Sequence, residues 1–187
     1  MKSIRRNTFE TNSSSSHSIS LTNDYNEYQY QLVSDYSEDY TEDDDTLVIN
    51  LGEYGWSWNT YIEPTDKLRY LLTQLAQMLG CNSWCDHLSY EEETEYKETI
   101  YESEEFSMIE EAIARNTSYK KLVIGSLEGY VDHQSAQSPQ SCLNEIGDIS
   151  YERFIFDPNV KIRTGNDNES DPEDEKECWW STNRYGK

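Results

Sequence analysis

The sequence predicts an α+β fold: a single domain over residues 1–187, with a mostly antiparallel sheet and two main helices packed on it. Runs of β-branched or alternating residues lie on both sides of a central region with helical periodicity. Regular strand–helix–strand alternation, which builds parallel sheets, is absent from the pattern. Aromatic residues make up 13% of the chain and Tyr alone contributes 15 residues. Because disordered chains carry few aromatics, we expect a folded core that uses tyrosine and tryptophan.

The first part of the chain predicts strands. Weak alternation indicates a strand over residues 17–22, and a tyrosine-rich stretch indicates another near residues 28–33. The β-branched run at residues 46–51 predicts a strand that Gly52 and Gly55 then interrupt.

The central part predicts two helices. The first covers residues 64–79, with Pro64 in its first turn, Asp66 at its positive end and Gly80 as its stop. The second covers residues 104–115. The apolar stripe of the first is expected at Leu68, Leu71, Leu72, Leu75 and Leu79, opposite Thr73, Gln74 and Gln77; that of the second is expected at Phe106, Ile109, Ile113 and Met108.

The last part of the chain predicts strands again. Residues 121–124 form a β-branched strand and residues 129–133 a second short one. The sequence YERFIF at residues 151–156 is interpreted as a strand, followed by a turn at 157–159 and a final strand.

The charge of the chain is strongly negative and unevenly distributed. The formal net charge is −22, and residues 24–45, 91–111 and 166–177 hold nine, ten and seven acids with only two bases among them. The segments 34–45 and 166–177 are candidate mobile segments. Fifteen basic residues against 37 acids argue against direct nucleic-acid binding. A protein partner with a basic face, or a small anionic ligand bound in the neutral part, fits the charge better.

No apolar run reaches the length of a membrane span, and the basic N-terminus is not followed by the apolar stretch of a secretory signal. We therefore expect a soluble intracellular protein that does not act at a membrane. The chain has no P-loop, no G-x-S-x-G and no H-E-x-x-H motif. We assign no cofactor, and catalysis stays open.

The run NSSSSHS is the first candidate site. Its hydroxyls, amide and imidazole could surround a phosphate or carboxylate, and the histidine could transfer a proton. A flexible serine-rich linker is the alternative. The residues are Asn12, Ser13, Ser14, Ser15, Ser16, His17 and Ser18.

Two later polar stretches are also candidates. One stretch lies at the end of a predicted strand and consists of Asp132, His133, Gln134 and Ser135. Asp132 and His133 could take part in acid–base chemistry; the alternative is an ordinary polar strand end. The other stretch follows the last strand and could supply carboxylate and amide ligands or simply form a turn. Its residues are Asn166, Asp167 and Asn168.

The four cysteines are interpreted as reduced thiols. Cys81, Cys85 and His87 form a weak half-motif for zinc, which would need a fourth ligand such as Cys142, His133 or Cys178. Free or buried thiols are the better interpretation, so no metal is assigned.

Four motifs in order, RRNTFETNSSSSHSIS, LGEYGWSW, GYVDHQS and FDPNVKIRTGNDNE, resemble a group of small phage-encoded proteins of unassigned function. The resemblance implies a phage accessory protein acting in the cytoplasm of an infected bacterial host. These motifs contain polar residues that a hydrophobic core does not require. We therefore expect the serine run to be an ordered loop. It would meet the DHQS and GNDN stretches at one end of the sheet, where His17, Asp132, His133, Asn166 and Asp167 would share a site.

Two functions follow as hypotheses. In the first, the acidic protein takes part in host takeover or anti-defence by binding and inhibiting a host protein, for example one that binds nucleic acid. In the second, the shared polar site binds or modifies a nucleotide or another phosphorylated metabolite.

Overall fold

The structure, a computed structural model, describes residues 15–21, 31–35, 45–83, 88–132 and 136–166. Within this part of the chain, helices and strands are mixed. The strands are β1 Ser15–Leu21, β2 Thr46–Ile49, β3 Glu53–Tyr54, β4 Asn59–Tyr61, β5 Lys121–Ile124, β6 Tyr130–Val131 and β7 Val160–Asn166. The helices are α1 Pro64–Leu79, α2 Tyr90–Tyr101, α3 Glu104–Asn116, α4 Pro139–Asn144 and α5 Tyr151–Phe156.

Helix α1 is the central element, as it contacts the other four helices and β6. It begins at Pro64, whose missing N–H costs nothing in the first turn, and ends at Gly80 with a left-handed φ of 69°. The bounds predicted for it are confirmed. Four of the five predicted apolar residues are buried, whereas Leu79 is exposed at the last turn.

The antiparallel sheet has the strand order β1-β7-β4. Its inner face is buried and includes Ile19, Val160 and Ile162, while the residues between them face away from the core. This alternation confirms the strands predicted at the two ends of the chain. The turn before β7 is closed by Asp157, whose carboxylate accepts the Asn159 N–H at 2.9 Å.

Two further strand pairs, β2 with β5 and β3 with β6, are parallel. Along the chain, β3 follows β2 and β6 follows β5, so the second pair continues the first. Backbone hydrogen bonds continue between the pairs, from Leu51 N–H to Ser126 O at 3.0 Å and from Tyr130 N–H to Gly52 O at 2.9 Å. The prediction of a mostly antiparallel sheet therefore holds only for β1, β7 and β4. Parallel pairing arises because α1, α2 and α3 lie between the paired strands and return the chain in the same direction.

The helices also differ from the prediction. Among the described residues, three helices have 12 residues or more, since α2 accompanies α1 and α3. The YERFIF segment, interpreted as a strand, is helix α5. Its buried side chains Tyr151, Phe154 and Ile155 have helical spacing, and the Ser150 hydroxyl accepts the Arg153 N–H at its first turn.

Other parts of the prediction fall partly outside the described residues. Of the strand expected near residues 28–33, only 31–33 are described, and they are not in a strand. The next two residues lie beside β2, since the Ser34 hydroxyl accepts the Val48 N–H at 2.9 Å and the Asp35 N–H donates to the Val48 carbonyl at 2.8 Å. Most of the acidic segments 34–45 and 166–177 is outside the described residues. In the part of the chain described, no helix has both the length and the apolar character needed to cross a bilayer.

Candidate functional site

The end of the three-stranded sheet brings two of the predicted motifs together. In the antiparallel register of β1 and β7, Ser15 pairs with Asn166, Ser16 with Gly165 and His17 with Thr164. The last serines of the serine run therefore begin a strand directly beside the start of the GNDN stretch. Asn12, Ser13, Ser14, Asp167 and Asn168 lie outside the described residues.

His17 points into the protein. Its side chain is 4% exposed, and its Nδ1 atom lies 3.4 Å from the hydroxyl of Tyr70 on α1. The neighbouring Ser18, by contrast, is exposed on the other face of the strand. The imidazole of His17 therefore belongs to the interior contact between the sheet and α1.

A buried polar network extends from His17 through α1. The Tyr70 hydroxyl accepts a hydrogen bond from Gln74 Nε2 at 2.8 Å, and Gln74 Oε1 accepts the Gln137 N–H at 2.9 Å. Gln77 donates to the Val131 carbonyl at 2.6 Å and accepts the Val131 N–H at 2.7 Å. The amides thus satisfy backbone groups that lie before and after the DHQS stretch.

Asp132, the first residue of that stretch, is half-buried and follows β6 directly; its N–H donates to Tyr54 O at 3.1 Å. Strand β6 is in a different sheet from His17 and Asn166. His133, Gln134 and Ser135 lie outside the described residues. The described connection between the DHQS region and His17 runs through Gln74 and Tyr70.

Tyrosine rings fill the space around this network. Tyr54 meets both Tyr61 and Tyr70 edge to face, with ring centroids 5.2 and 5.1 Å apart. Burial raises the pKa of Tyr70 and of Tyr54 well above the ordinary range, because a phenolate would lose its hydration there. Both rings are therefore neutral packing groups at physiological pH, and the Tyr70 hydroxyl also accepts the hydrogen bond from Gln74.

Lys67 is a buried amine that the sequence did not single out. Its side chain is fully buried, and Nζ donates to the Asp157 carbonyl at 2.8 Å, at the turn before β7. Burial lowers the pKa of Lys67 to about 8, and the carboxylates of Asp157 and Glu63 oppose that shift. Lys67 thus joins α1 to the turn that positions β7.

The cysteines do not form a metal site in the described residues. Cys81 and Cys142 are buried free thiols, and burial raises the pKa of each. Cys85, His87 and Cys178 lie outside the described residues. No group of three or more His, Cys, Asp or Glu side chains that could hold a metal ion occurs in the described part.

A tryptophan lies flat against the outer side of the three-stranded sheet. A Cβ atom at Gly165 would lie 2.1 Å from a carbon of the Trp58 ring, so only glycine leaves room for the indole there. The Arg163 guanidinium carbon lies 5.2 Å from the centroid of the same ring, in cation–π geometry. Trp58 and Arg163 are both half-buried.

Helix α2 orders part of the second acidic segment. Its inner side carries Ile100 and the half-buried Tyr96, Lys97 and Glu93, at helical spacing. The Lys97 amine is turned toward the body, where it contacts Glu93 Oε1 at 2.7 Å and donates to the Gly125 carbonyl at 2.8 Å. The outer face of α2, defined by the exposed side chains Glu91, Glu92, Glu95 and Glu98, therefore presents four carboxylates and no base.

The sequence carries no clear signal for these residues. Lys67, Tyr70, Thr73, Gln74 and Gln77 lie at spacings of three and four on the side of α1 opposite the leucines, which is also the pattern of a solvent-exposed polar face. Thr73 and Gln74, assigned to the side opposite the apolar stripe, are in fact fully buried. A helix surrounded by other elements has to bury both of its sides, and its polar residues then bind backbone groups.

Comparison of the chain with protein-family models, with curated proteins and with solved structures finds no match in any of the three. The function is therefore argued from the geometry and charge of the molecule.

Proposed function

We propose that the protein is an acidic accessory protein of phage type, which binds and inhibits a basic, nucleic-acid-binding protein of the infected host in its cytoplasm. The observation that supports this proposal is the outer face of α2. Four carboxylates project from one ordered helix, and the helix's one base is turned inward to a carbonyl and a glutamate. Closely spaced carboxylates on a fixed helix resemble the charge pattern of a phosphate backbone, to which such partners bind.

Helix α2 is held in place despite its small buried surface. The Ser89 hydroxyl and the Glu92 carboxylate form a capping box at its first turn. Ile100 is fully buried, and the Tyr101 hydroxyl accepts the Ile124 N–H at 3.0 Å. Because these contacts orient the helix before binding, less conformational entropy is lost when a partner docks on the carboxylates.

The test replaces the carboxylates without changing side-chain shape. Immobilised full-length protein and a Glu91→Gln, Glu95→Gln, Glu98→Gln variant are exposed to bacterial lysate, and retained proteins are identified by mass spectrometry. A matched control carries Glu→Gln at three exposed positions outside α2, namely Glu53, Glu128 and Glu152. We expect basic nucleic-acid-binding proteins on the wild type and the control, released by high salt or competing duplex DNA, and their loss from the α2 variant.

Equal retention by the α2 variant and the control would contradict a role for α2. Retention that duplex DNA does not reduce would contradict competition with nucleic acid. The comparison of the two variants separates the position of the charges from their number, because each variant loses three negative charges.

A second candidate function is the binding or modification of a nucleotide or another phosphorylated metabolite at the end of the three-stranded sheet. The register that places Ser15 and Ser16 opposite Asn166 and Gly165 favours it. His17 would support such a site from inside, through its contact with Tyr70.

Titration of isotopically labelled full-length protein with ATP, followed by NMR, tests this second function. Amide shifts at Ser15, Ser16 and Asn166 that saturate with ATP would support it. Saturating shifts elsewhere, or no shifts, would contradict a site at this end of the sheet.

A further inference from the structure

The three-stranded sheet differs in charge from the rest of the molecule. Strands β1, β4 and β7 together contain no Asp or Glu, although acids account for 37 of the 187 residues. They contain two bases, Lys161 and Arg163, both on β7. In a chain of net charge −22, the residues of these three strands thus carry two positive charges and no negative one, a balance that favours an anion.

The register places both bases on one face with hydroxyl groups beside them. Ser18 of β1 and Thr60 of β4 both pair with Arg163, one on each side, and Ser20 pairs with Lys161. Partners in an antiparallel register project from the same face. Ser18 and Thr60 are exposed, while His17, Ile19, Ile162 and Thr164 face the interior. We call this surface the outer sheet face; it comprises Ser18, Ser20, Thr60, Lys161, Arg163 and Trp58.

An aromatic platform lies at one end of the outer sheet face. Trp58 covers Gly165, two residues beyond Arg163 and four beyond Lys161. The distance along a strand from residue 165 to residue 161 is about 13 Å, which is the scale of one extended nucleotide. Trp58 is half-buried, so part of its ring remains accessible. Indole rings stack on nucleobases, and an arginine beside an indole can stack on it and also donate to phosphate oxygens.

From this juxtaposition we propose that the outer sheet face binds a nucleoside phosphate. The base stacks on Trp58, and the phosphates lie between Arg163 and Lys161, where Ser18, Ser20 and Thr60 donate hydrogen bonds. The proposal does not depend on the acidic face of α2. The ligand class, a nucleotide, is the one proposed for the second candidate function, and the present proposal rests on that function in this respect. The side chains assigned to the contacts are different. A mononucleotide suits the surface better than a long nucleic acid, because the acidic segments would repel a polyanion.

The experiment measures ADP binding to isotopically labelled full-length protein by NMR, with adenosine and inorganic phosphate as separate probes. We expect saturating ADP shifts at Ser18, Thr60 and Arg163, weaker phosphate binding at the same amides and weakest binding of adenosine. Arg163→Gln should raise the Kd for ADP by about tenfold or more, because it removes charge-assisted hydrogen bonds. Lys120→Gln, which removes one exposed positive charge outside the sheet, should leave the Kd unchanged.

A Trp58→Leu variant separates stacking from charge. It should weaken ADP binding and leave phosphate binding intact. If the leucine variant does not fold, Lys161→Gln tests the charge instead and should weaken the binding of both ADP and phosphate. The proposal is overturned if ADP produces no shifts on the outer sheet face, or if Arg163→Gln and Lys120→Gln bind ADP equally. ADP shifts confined to Ser15, Ser16 and Asn166 and unaffected by Arg163→Gln would overturn it while leaving the second candidate function standing.

Discussion

At the scale of single residues, the side-chain amide of the half-buried Gln77 on α1 satisfies polar backbone groups of β6. Both hydrogen bonds of the Gln77 amide go to the Val131 backbone, at 2.6 and 2.7 Å. Val131 is itself fully buried, so water does not readily replace that amide. Gln77 therefore acts as a substitute for a neighbouring strand.

Replacing Gln77 with alanine should consequently destabilise the protein. The Val131 N–H and carbonyl would lose their partners, and we expect the free energy of unfolding to fall by about 2–4 kcal/mol. Urea denaturation measures this change. Met78→Ala is the control, since Met78 is 54% exposed on the same helix and its truncation should cost little. A similar small loss in both variants would mean that water replaces the glutamine.

The buried amine of Lys67 makes a prediction about pH. Its pKa falls from 10.5 in an unfolded chain to about 8 in the folded protein. Between these two values the unfolded chain binds more protons at this residue, so Lys67 makes the free energy of unfolding rise with pH. Below about pH 8 both states are protonated, and the cost of burying the charge is fully present.

A comparison with Lys67→Met isolates this contribution, because the buried cysteines and tyrosines act in the opposite direction in both proteins. Between about pH 8 and 9.5, the stability of the wild type relative to Lys67→Met should rise by up to about 1.4 kcal/mol per pH unit. Urea denaturation at several pH values measures the slope. Lys120→Met, at an exposed position, should show the wild-type slope. Parallel slopes in all three proteins would show that Lys67 titrates as an exposed lysine does.

At the scale of elements, the sequence predicted those helices and strands whose side chains are sorted by burial. Leu68, Leu71 and Leu72 on α1, and Phe106 and Ile109 on α3, repeat at helical spacing because each helix buries one apolar stripe. Helix α2 was missed because Ile100 is its one fully buried side chain, so it has almost no apolar stripe to detect.

The candidate site was predictable only in part, for a related reason. The pairing of Ser16 with Gly165 depends on register over about 150 residues of intervening chain, and short motifs do not encode such pairings. The choice of face for His17 depends on the same register, because neighbouring residues on a strand face opposite ways. The outer sheet face was missed because its members, such as Thr60 and Arg163, are distant in sequence and form no motif.

Because α2 has few buried contacts, its capping box should matter more than in a well-buried helix. Ser89→Ala removes the hydroxyl that contacts Glu92, including its backbone N–H at 3.3 Å. We expect amide hydrogen exchange in α2 to become about fivefold faster, with α1 unaffected. Ser103→Ala, at the start of α3, is the matched comparison and should change α2 less. Unchanged exchange in α2 would show that tertiary contacts alone hold the helix.

At the scale of the whole molecule, the acidic charge must be carried at a cost to stability. Like charges at neighbouring helical positions repel one another, and Glu91, Glu95 and Glu98 lie four and three residues apart on α2. The net charge of −22 adds a general repulsion that favours expanded states. Salt weakens both effects, although the repulsion between neighbouring glutamates acts over a shorter distance than the repulsion due to the net charge.

The two effects can be separated by a salt series. Raising NaCl from about 0.02 to about 0.5 M should raise the Tm of the wild type, because screening reduces the repulsion. The Glu91→Gln, Glu95→Gln, Glu98→Gln variant should have a higher Tm at low salt and a flatter dependence. The triple variant at Glu53, Glu128 and Glu152 loses the same number of charges. The difference in Tm between the two variants therefore measures the crowding of charges on α2, separately from the net charge. Equal flattening in both variants would assign the cost to net charge alone. Crowded carboxylates that persist at such a cost are what a charge-recognising surface requires, since a surface shaped only by stability would interleave them with bases.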